Sequence, residues 1–293
     1  MAGGLTVAAS VLFDAPGPKT RARHRLYAVV STIILAAIVA AVVWRLWDAG
    51  QFDPDLWEPF VTPYIVNALL GGLAQTLLMA VVAVLGAVVL GFVFGIAKLS
   101  DHLVARWPAW LVVEFFRAVP LFMLILGIWF LLGAQPGWMG YWAVVIGLWL
   151  YNGSVIAEIT RAGIGALPKG QAEAAYALGM RKGTVMQVVL LPQAVKIMLP
   201  AIISQSIVAL KDTSLGYAVL APGLTFIGKQ VFTEFRNIIP TVLVMAAIYI
   251  VLNLLLSWLA TWAQKRFAGE KKVDITVVAA GLSRTGDDGA AAM

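Results

Sequence analysis

Long uncharged apolar stretches alternate with short charged ones along nearly the whole chain. A helix needs about 20 apolar residues to cross roughly 30 Å of hydrocarbon, and six stretches meet that length. The first covers residues 26–44 and contains neither Gly nor Pro. The second uncharged run covers 59–97. Pro59, Pro63, Asn67, Gly71 and Gly72 crowd its first half, so that half reads as an interfacial lead-in and the helix proper as 73–97. A third span is expected over 108–132, although it holds Glu114 and Arg117, and Gln135-Pro136-Gly137-Trp138 then breaks the chain. The fourth, fifth and sixth are expected over about 141–159, 194–210 and 237–264. An all-α membrane protein with six transmembrane helices is the resulting fold class.

Composition supports this. The 293 residues are 61% hydrophobic and only 12% charged, against about 25% charged in soluble domains. Cysteine is absent and there are two histidines, His24 and His102, which disfavours disulfides, thiolate chemistry, a metal site or a catalytic triad. The net charge of +6 needs no nucleic acid, because basic residues gather on the cytoplasmic side of membrane proteins. Lys19, Arg21, Arg23 and Arg25 precede the first span, and an acidic stretch with Asp48, Asp53, Asp55 and Glu58 follows it. Lys98 and Arg106 separate spans two and three. Arg161, Lys169, Arg181, Lys182 and Lys196 lie around the long segment between four and five, and Lys265 and Arg266 follow span six. Both termini are thus expected in the cytosol. Lys211, Lys229 and Arg236 fit that assignment least well. The expected divisions are an arm at 1–25, an additional first helix at 26–47, a transport domain at 72–263 and a disordered tail at 264–293. Most of the eleven Trp residues lie near span ends, as in an aromatic belt.

The segment 163–191 is a polar-flanked stretch and sits on the expected cytoplasmic side. Residues 171–178 are strong helix formers, Gly179 suits a left-handed turn, and a second helix is expected from Arg181 to about Leu191-Pro192. Composition alone leaves open an ordinary loop with helical character. Glu173-Ala174-Ala175, Gly179 and Leu191-Pro192 resemble the Glu-Ala-Ala loop of ABC importer permeases. GQAEAAYALGM, LLPQA, LPA and LKDTSL, together with Ala157 to Ile164 and Phe116-Arg117-Ala118-Val119-Pro120-Leu121, are similar to the branch serving polar amino acids. The stretch Val11 to Pro18 and the long first span resemble glutamate-uptake permeases of actinobacteria. The resemblance implies a type I ABC importer permease in the bacterial plasma membrane that carries a polar amino acid, glutamate before others. It also implies that the chain is not itself an enzyme and holds no cofactor. ATP and Mg would be bound by separate ATPase subunits. A second permease subunit, in a homodimer or heterodimer, and an extracytoplasmic substrate-binding protein would be the other partners, along with membrane lipid and no nucleic acid. Glu173, Ala174, Ala175, Gly179, Arg181 and Lys182 would contact the ATPase: the alanines allow close approach, the glycine the bend, and the cations pairing with acidic groups.

Charges inside spans are costly and face partners or cavities. Glu114 and Arg117 are three residues apart, as are Glu158 and Arg161. Such pairs either neutralise themselves on a helix face or line a route for an amino acid. Asn152 and Ser154, and the run Lys211-Asp212-Thr213-Ser214, are further candidates for that route. The run also reads as a helix end followed by a new cap. Gly91 and Gly95 suit close helix packing. Gly223, Gly228 and Lys229 fall one residue short of a phosphate-binding loop; Gln230 replaces its hydroxyl, so a folded outer loop or gate fits better. An ion-gradient-driven amino acid transporter is the alternative, but it would need broken helices or inverted repeats, and it leaves the Glu-Ala-Ala loop unexplained.

Overall fold

The computed structural model describes residues 18–267. The Val11 to Gly17 part of the amino-terminal motif and the tail from 268 lie outside the described residues. The chain divides into two compact units, residues 1–59 and 60–293.

The first unit carries α1 (Pro18–Asp48) and the short α2 (Pro54–Trp57). The side chains of α1 are exposed along its length, Ile33 and Leu35 among them, as expected of a helix whose solvent is lipid. Arg45 in its last turn donates to Asp48 Oδ2 at 2.8 Å. The stretch expected to be purely acidic therefore includes a cation.

The second unit is a helical bundle. It comprises α3 (Pro63–Ala97), α4 (Leu103–Ala118), α5 (Leu121–Leu131), α6 (Trp138–Gly165), α7 (Lys169–Ala177) and α8 (Lys182–Thr184). A π-helical stretch (Val185–Leu190) leads into α9 (Leu191–Asp212), and a 3-10 segment (Thr213–Val219) precedes α10 (Leu224–Phe235) and α11 (Ile238–Phe267). Helix α6 is the axis of the bundle. Of its most apolar window 61% is buried, against 33% for α3 and 17% for α11.

Close approach of α3 to α6 runs through small residues. A Cβ on Gly91 would collide with Ile156. One on Gly95 would lie 2.6 Å from Thr160 Cβ, and one on Gly153 of α6 2.9 Å from Leu90. With Ala83 and Ala87, both buried, these glycines let the two backbones pack where no hydrophobic effect separates helix from lipid.

Three expectations about boundaries change. Helix α3 starts at Pro63, so the lead-in belongs to the helix. Proline suits a first turn, where its missing N–H is unused anyway. Gly72 is then a packing position: a Cβ there would lie 2.8 Å from Ile227 Cγ1 and 3.1 Å from Leu224 Cα of α10. The run 108–132 is two helices bent by 103° at Val119-Pro120. Val119 is extended, with ψ 127°, because a proline disfavours helical backbone in the residue before it. Finally, the helix after Arg181 does not stop at Pro192. It continues as one element over Lys182–Val219. The π-helical widening just before Pro192 accommodates a ring that would press on the carbonyl four residues back. By length and composition the described residues hold five spans, or six if the bent pair counts as one.

The segment that reads as a folded outer loop or gate is the 3-10 end of that element followed by α10. The Leu224 amide donates to Thr76 Oγ1 at 2.8 Å, and that hydroxyl donates to the Gly72 carbonyl at 2.9 Å. Gly95→Val should lower the thermal unfolding midpoint in detergent, with a cost of about 1–3 kcal/mol from overpacking. Gly71→Ala, with nothing within 4 Å of the added carbon, should leave the midpoint unchanged or raise it. Equal midpoints for the two variants would remove the packing role of Gly95.

Candidate functional site

Two cavities and one loop carry the polar chemistry of the bundle. The first cavity lies where α3 and α6 end and α4 begins. Lys98 caps the carbonyl end of α3, a favourable place for a cation. Its side chain is only 6% exposed. Its Nζ donates to Glu114 Oε1 on α4 at 3.2 Å and to Glu158 Oε1 on α6. The Arg161 Nε donates to Glu158 Oε2 at 2.9 Å, and Arg117 reaches Glu114 Oε1 at 3.4 Å. Both expected i,i+3 pairs therefore form, and Lys98 joins them into one chain of five charges across three helices. They border a cavity of about 550 Å³ that Arg106, Trp107 and Trp110 also line. Arg117 is not part of its wall.

The second cavity, of about 630 Å³, lies between the far end of α9, α10 and α11. Lys211, Ser214, Lys229, Tyr249 and Asn253 contribute to its wall. Lys229 stands over the Tyr217 ring, 5.0 Å from its centre. Asn253 donates to the Tyr249 carbonyl at 2.6 Å, while its Oδ1 is buried without a partner among the described residues.

The remaining expected route residues are engaged locally. Asn152 is buried. Its amide donates to the Leu148 carbonyl at 2.9 Å, and its Oδ1 accepts from Gln205 Nε2 at 2.7 Å. Ser154 is fully buried and donates to the Leu150 carbonyl at 2.9 Å. Thr213 is buried and donates to the Leu210 carbonyl at 2.6 Å. Asp212 occupies a cap position at the start of the 3-10 segment but makes no side-chain cap hydrogen bond. Asn152, Ser154, Asp212 and Thr213 all lie outside the walls of both cavities.

The loop is a helix, a bend and a second helix. Gly179 has φ +74°. The Gly179 amide bonds the Tyr176 carbonyl at 2.9 Å and the Met180 amide bonds the Ala175 carbonyl at 3.2 Å. This is the Schellman pattern that ends a helix on a left-handed glycine. Ala175 is buried, whereas Glu173, Ala174, Gly179 and Arg181 are exposed. Tyr176 is 45% and Leu178 82% exposed. Lys182 reaches the turn between α3 and α4, bonding the Leu99 carbonyl at 3.2 Å and pairing with Asp101. The Lys182 hydrogen bond holds the Asp101 carboxyl below its usual range, so it stays charged at neutral pH.

Sequence reasoning missed Lys98, Arg106, Gln205, Lys229, Tyr249 and Asn253 as site residues. Lys98 carried a readable signal, being the first charge after the long uncharged run 59–97 and sitting at a helix carbonyl end. Its partners lie 16 and 60 residues away, which local spacing does not reveal.

A bundle of apolar helices, crossed by a charge chain at one end and broken by an exposed Glu-Ala-Ala loop, defines a multi-pass membrane permease. The chain belongs to the family described as binding-protein-dependent transport system inner membrane component, which matches residues 87–269. It is 40% identical over 232 residues to the glutamate transport system permease protein GluD of Corynebacterium glutamicum, covering 77% of this chain and 85% of that one. It is 33% identical over 202 residues to the arginine transport system permease protein ArtQ of Bacillus subtilis, covering 68% and 91%. Among solved structures, the crystal structure of an amino acid ABC transporter with histidines matches with a TM-score of 0.63 and 30% identity, covering 69% of this chain and 94% of that one. ABC importer membership replaces the ion-gradient alternative.

Lys98→Met would leave two carboxylates without their shared cation. Removing one partner of a buried pair costs about 3–5 kcal/mol, and the partial exposure of Glu114 and Glu158 puts the expected loss at the low end. Lys98→Met with Glu158→Leu should recover part of it. A double-mutant cycle on thermal unfolding in detergent measures this, and additive losses would remove the bridge.

Proposed function

We propose that the chain is the permease subunit of an ABC importer for an anionic amino acid, glutamate. The observation that carries this reading is a cation surplus in both cavities. The first is lined by Lys98, Arg106 and Arg161 against Glu114 and Glu158. The second is lined by Lys211 and Lys229 with no carboxylate. At neutral pH glutamate carries two carboxylates and one ammonium. Cationic walls in a low-dielectric bundle favour it over arginine, whose side chain would meet like charge. The two i,i+3 pairs alone balance; Lys98 and Arg106 tip the balance towards an anion. The 40% identity to a glutamate permease supports the same cargo.

In this reading α7 and the Gly179 bend dock on ATPase subunits, which bind ATP and Mg. Glu173, Ala174 and Arg181 face that partner, with Tyr176 and Leu178 as exposed apolar anchors, while Ala175 is buried against this chain. The charged end of the bundle is then cytosolic, as are both termini, and a binding protein delivers cargo to the opposite face. A second permease subunit completes the route.

Competition with labelled glutamate uptake by the reconstituted complex tests the cargo. Excess glutamate and aspartate should abolish uptake, glutamine should compete weakly and arginine not at all. If glutamine competes as well as glutamate, or labelled glutamate does not enter, the assignment fails. Gly179→Val tests the docking, because a β-branched residue at this φ is strained by roughly 1–2 kcal/mol. The variant should insert normally yet lose substrate-stimulated ATP hydrolysis; normal stimulation would count against the loop's role.

A further inference from the structure

The turn between α3 and α4 is held from two sides. On one side Lys98 bonds Glu114 of α4 and Glu158 of α6. On the other, Lys182 at the start of α8 bonds the Leu99 carbonyl at 3.2 Å and pairs with Asp101. Apolar contacts run alongside. Ile96 and Leu99 from the end of α3, and Met186 from the π-helical stretch, pack on the same buried cluster around Ile164, Ala194 and Met198. A cavity of about 480 Å³ remains between turn and loop, lined by Leu99, Asp101, His102, Lys182 and Met186 among others. The polar contacts of Lys182, together with the shared packing of Leu99 and Met186, set how far the loop stands from the turn.

We propose that residues 98–102 form the joint through which the ATPase-docking loop acts on the transport helices, with Asp101 and Lys182 as its paired positioning residues. The proposal rests on the reading that α7 and the Gly179 bend meet the ATPase. A displacement of the loop moves Lys182, Lys182 moves residues 99–101, and Lys98 lies directly before them. Lys98 in turn holds one carboxylate on α4 and one on α6, so the two helices respond together. Lys182 is thereby occupied within the chain, and Arg181 is left to face a partner.

Side chains of the Asp101–Lys182 pair are 75% and 43% exposed, and exposed pairs contribute little to stability. Its loss should therefore spare folding and show only in coupling. The test uses the assembled complex with its ATPase and binding protein. Asp101→Ala and Lys182→Ala should each copurify with the ATPase. Each should lower substrate stimulation of ATP hydrolysis about fivefold, the low end of allosteric couplings. The charge swap Asp101→Lys with Lys182→Asp should restore most of the stimulation, which a loss of structure would not allow. Wild-type stimulation in both single variants overturns the proposal, as does a swap no better than the singles. So does loss of copurification in Lys182→Ala alone, which would make Lys182 an ATPase contact. A separate arm checks the underlying reading. The chain has no native cysteine, so Leu178→Cys should cross-link to the ATPase. Failure there removes the docking reading whatever the Asp101 variants do.

Discussion

The close packing of α3 on α6 is the constraint on which the rest depends. Gly91 and Gly95 bring the α3 backbone against Ile156, Ala157 and Thr160. One turn beyond Gly95, that separation lets the Lys98 ammonium reach Glu158. A wider pair of helices would leave Lys98 short of α6, and a cation at the edge of hydrocarbon without a partner is costly. Small residues at one end of the contact and complementary charges at the other are therefore two parts of one requirement. The first sets the distance, and the second uses it.

Much of this was legible in the chain. The six apolar runs, the Gly179 turn and the Glu114–Arg117 and Glu158–Arg161 pairs all follow from local spacing, where one residue type has one physical consequence. What was not legible involves direction and distance. Hydropathy over 108–132 records enough apolar length for a span but not the 103° bend, which a single X-Pro step imposes. Pro63 reads as part of a lead-in and Pro192 as a helix end. One begins a helix and the other follows a widened turn inside one, because position within the helix decides what a missing N–H costs. Gly71 and Gly72 read alike in sequence, yet only Gly72 has a helix against it.

The charge balance of the site shows the same limit. Read pair by pair, each carboxylate cancels its neighbour and the route is neutral. The bundle adds Lys98 and Arg106 to one cavity and gathers Lys211 and Lys229 in the other. The resulting surplus belongs to the tertiary arrangement and not to any local motif. A surplus of cations rather than a tightly matched site suits a membrane component that must release what it carries. Long-range attraction raises the local concentration of an anion, without the full set of directed hydrogen bonds that would hold it.

A single element runs from the Lys182 end of the loop to the second cavity. The helix Lys182–Val219 is continuous over 38 residues, so Lys182 beside the α3–α4 turn and Lys211 at the second cavity are separated by roughly 44 Å of one helix at about 1.5 Å per residue. Its irregularities lie near the loop: the π-helical stretch 185–190 and Pro192, with Pro200 further along. Bends in helices concentrate at such places. Between Pro200 and the 3-10 segment at Thr213 the helix is regular, and Gln205 in that part is bonded to Asn152 of α6. A movement imposed at Lys182 is therefore divided between a compliant inner third and a stiff outer part tied to the bundle axis. Stiffening the inner third would pass more of that movement to Lys211; loosening it would pass less. The irregular turn before Pro192 thus has a mechanical consequence as well as a steric cause.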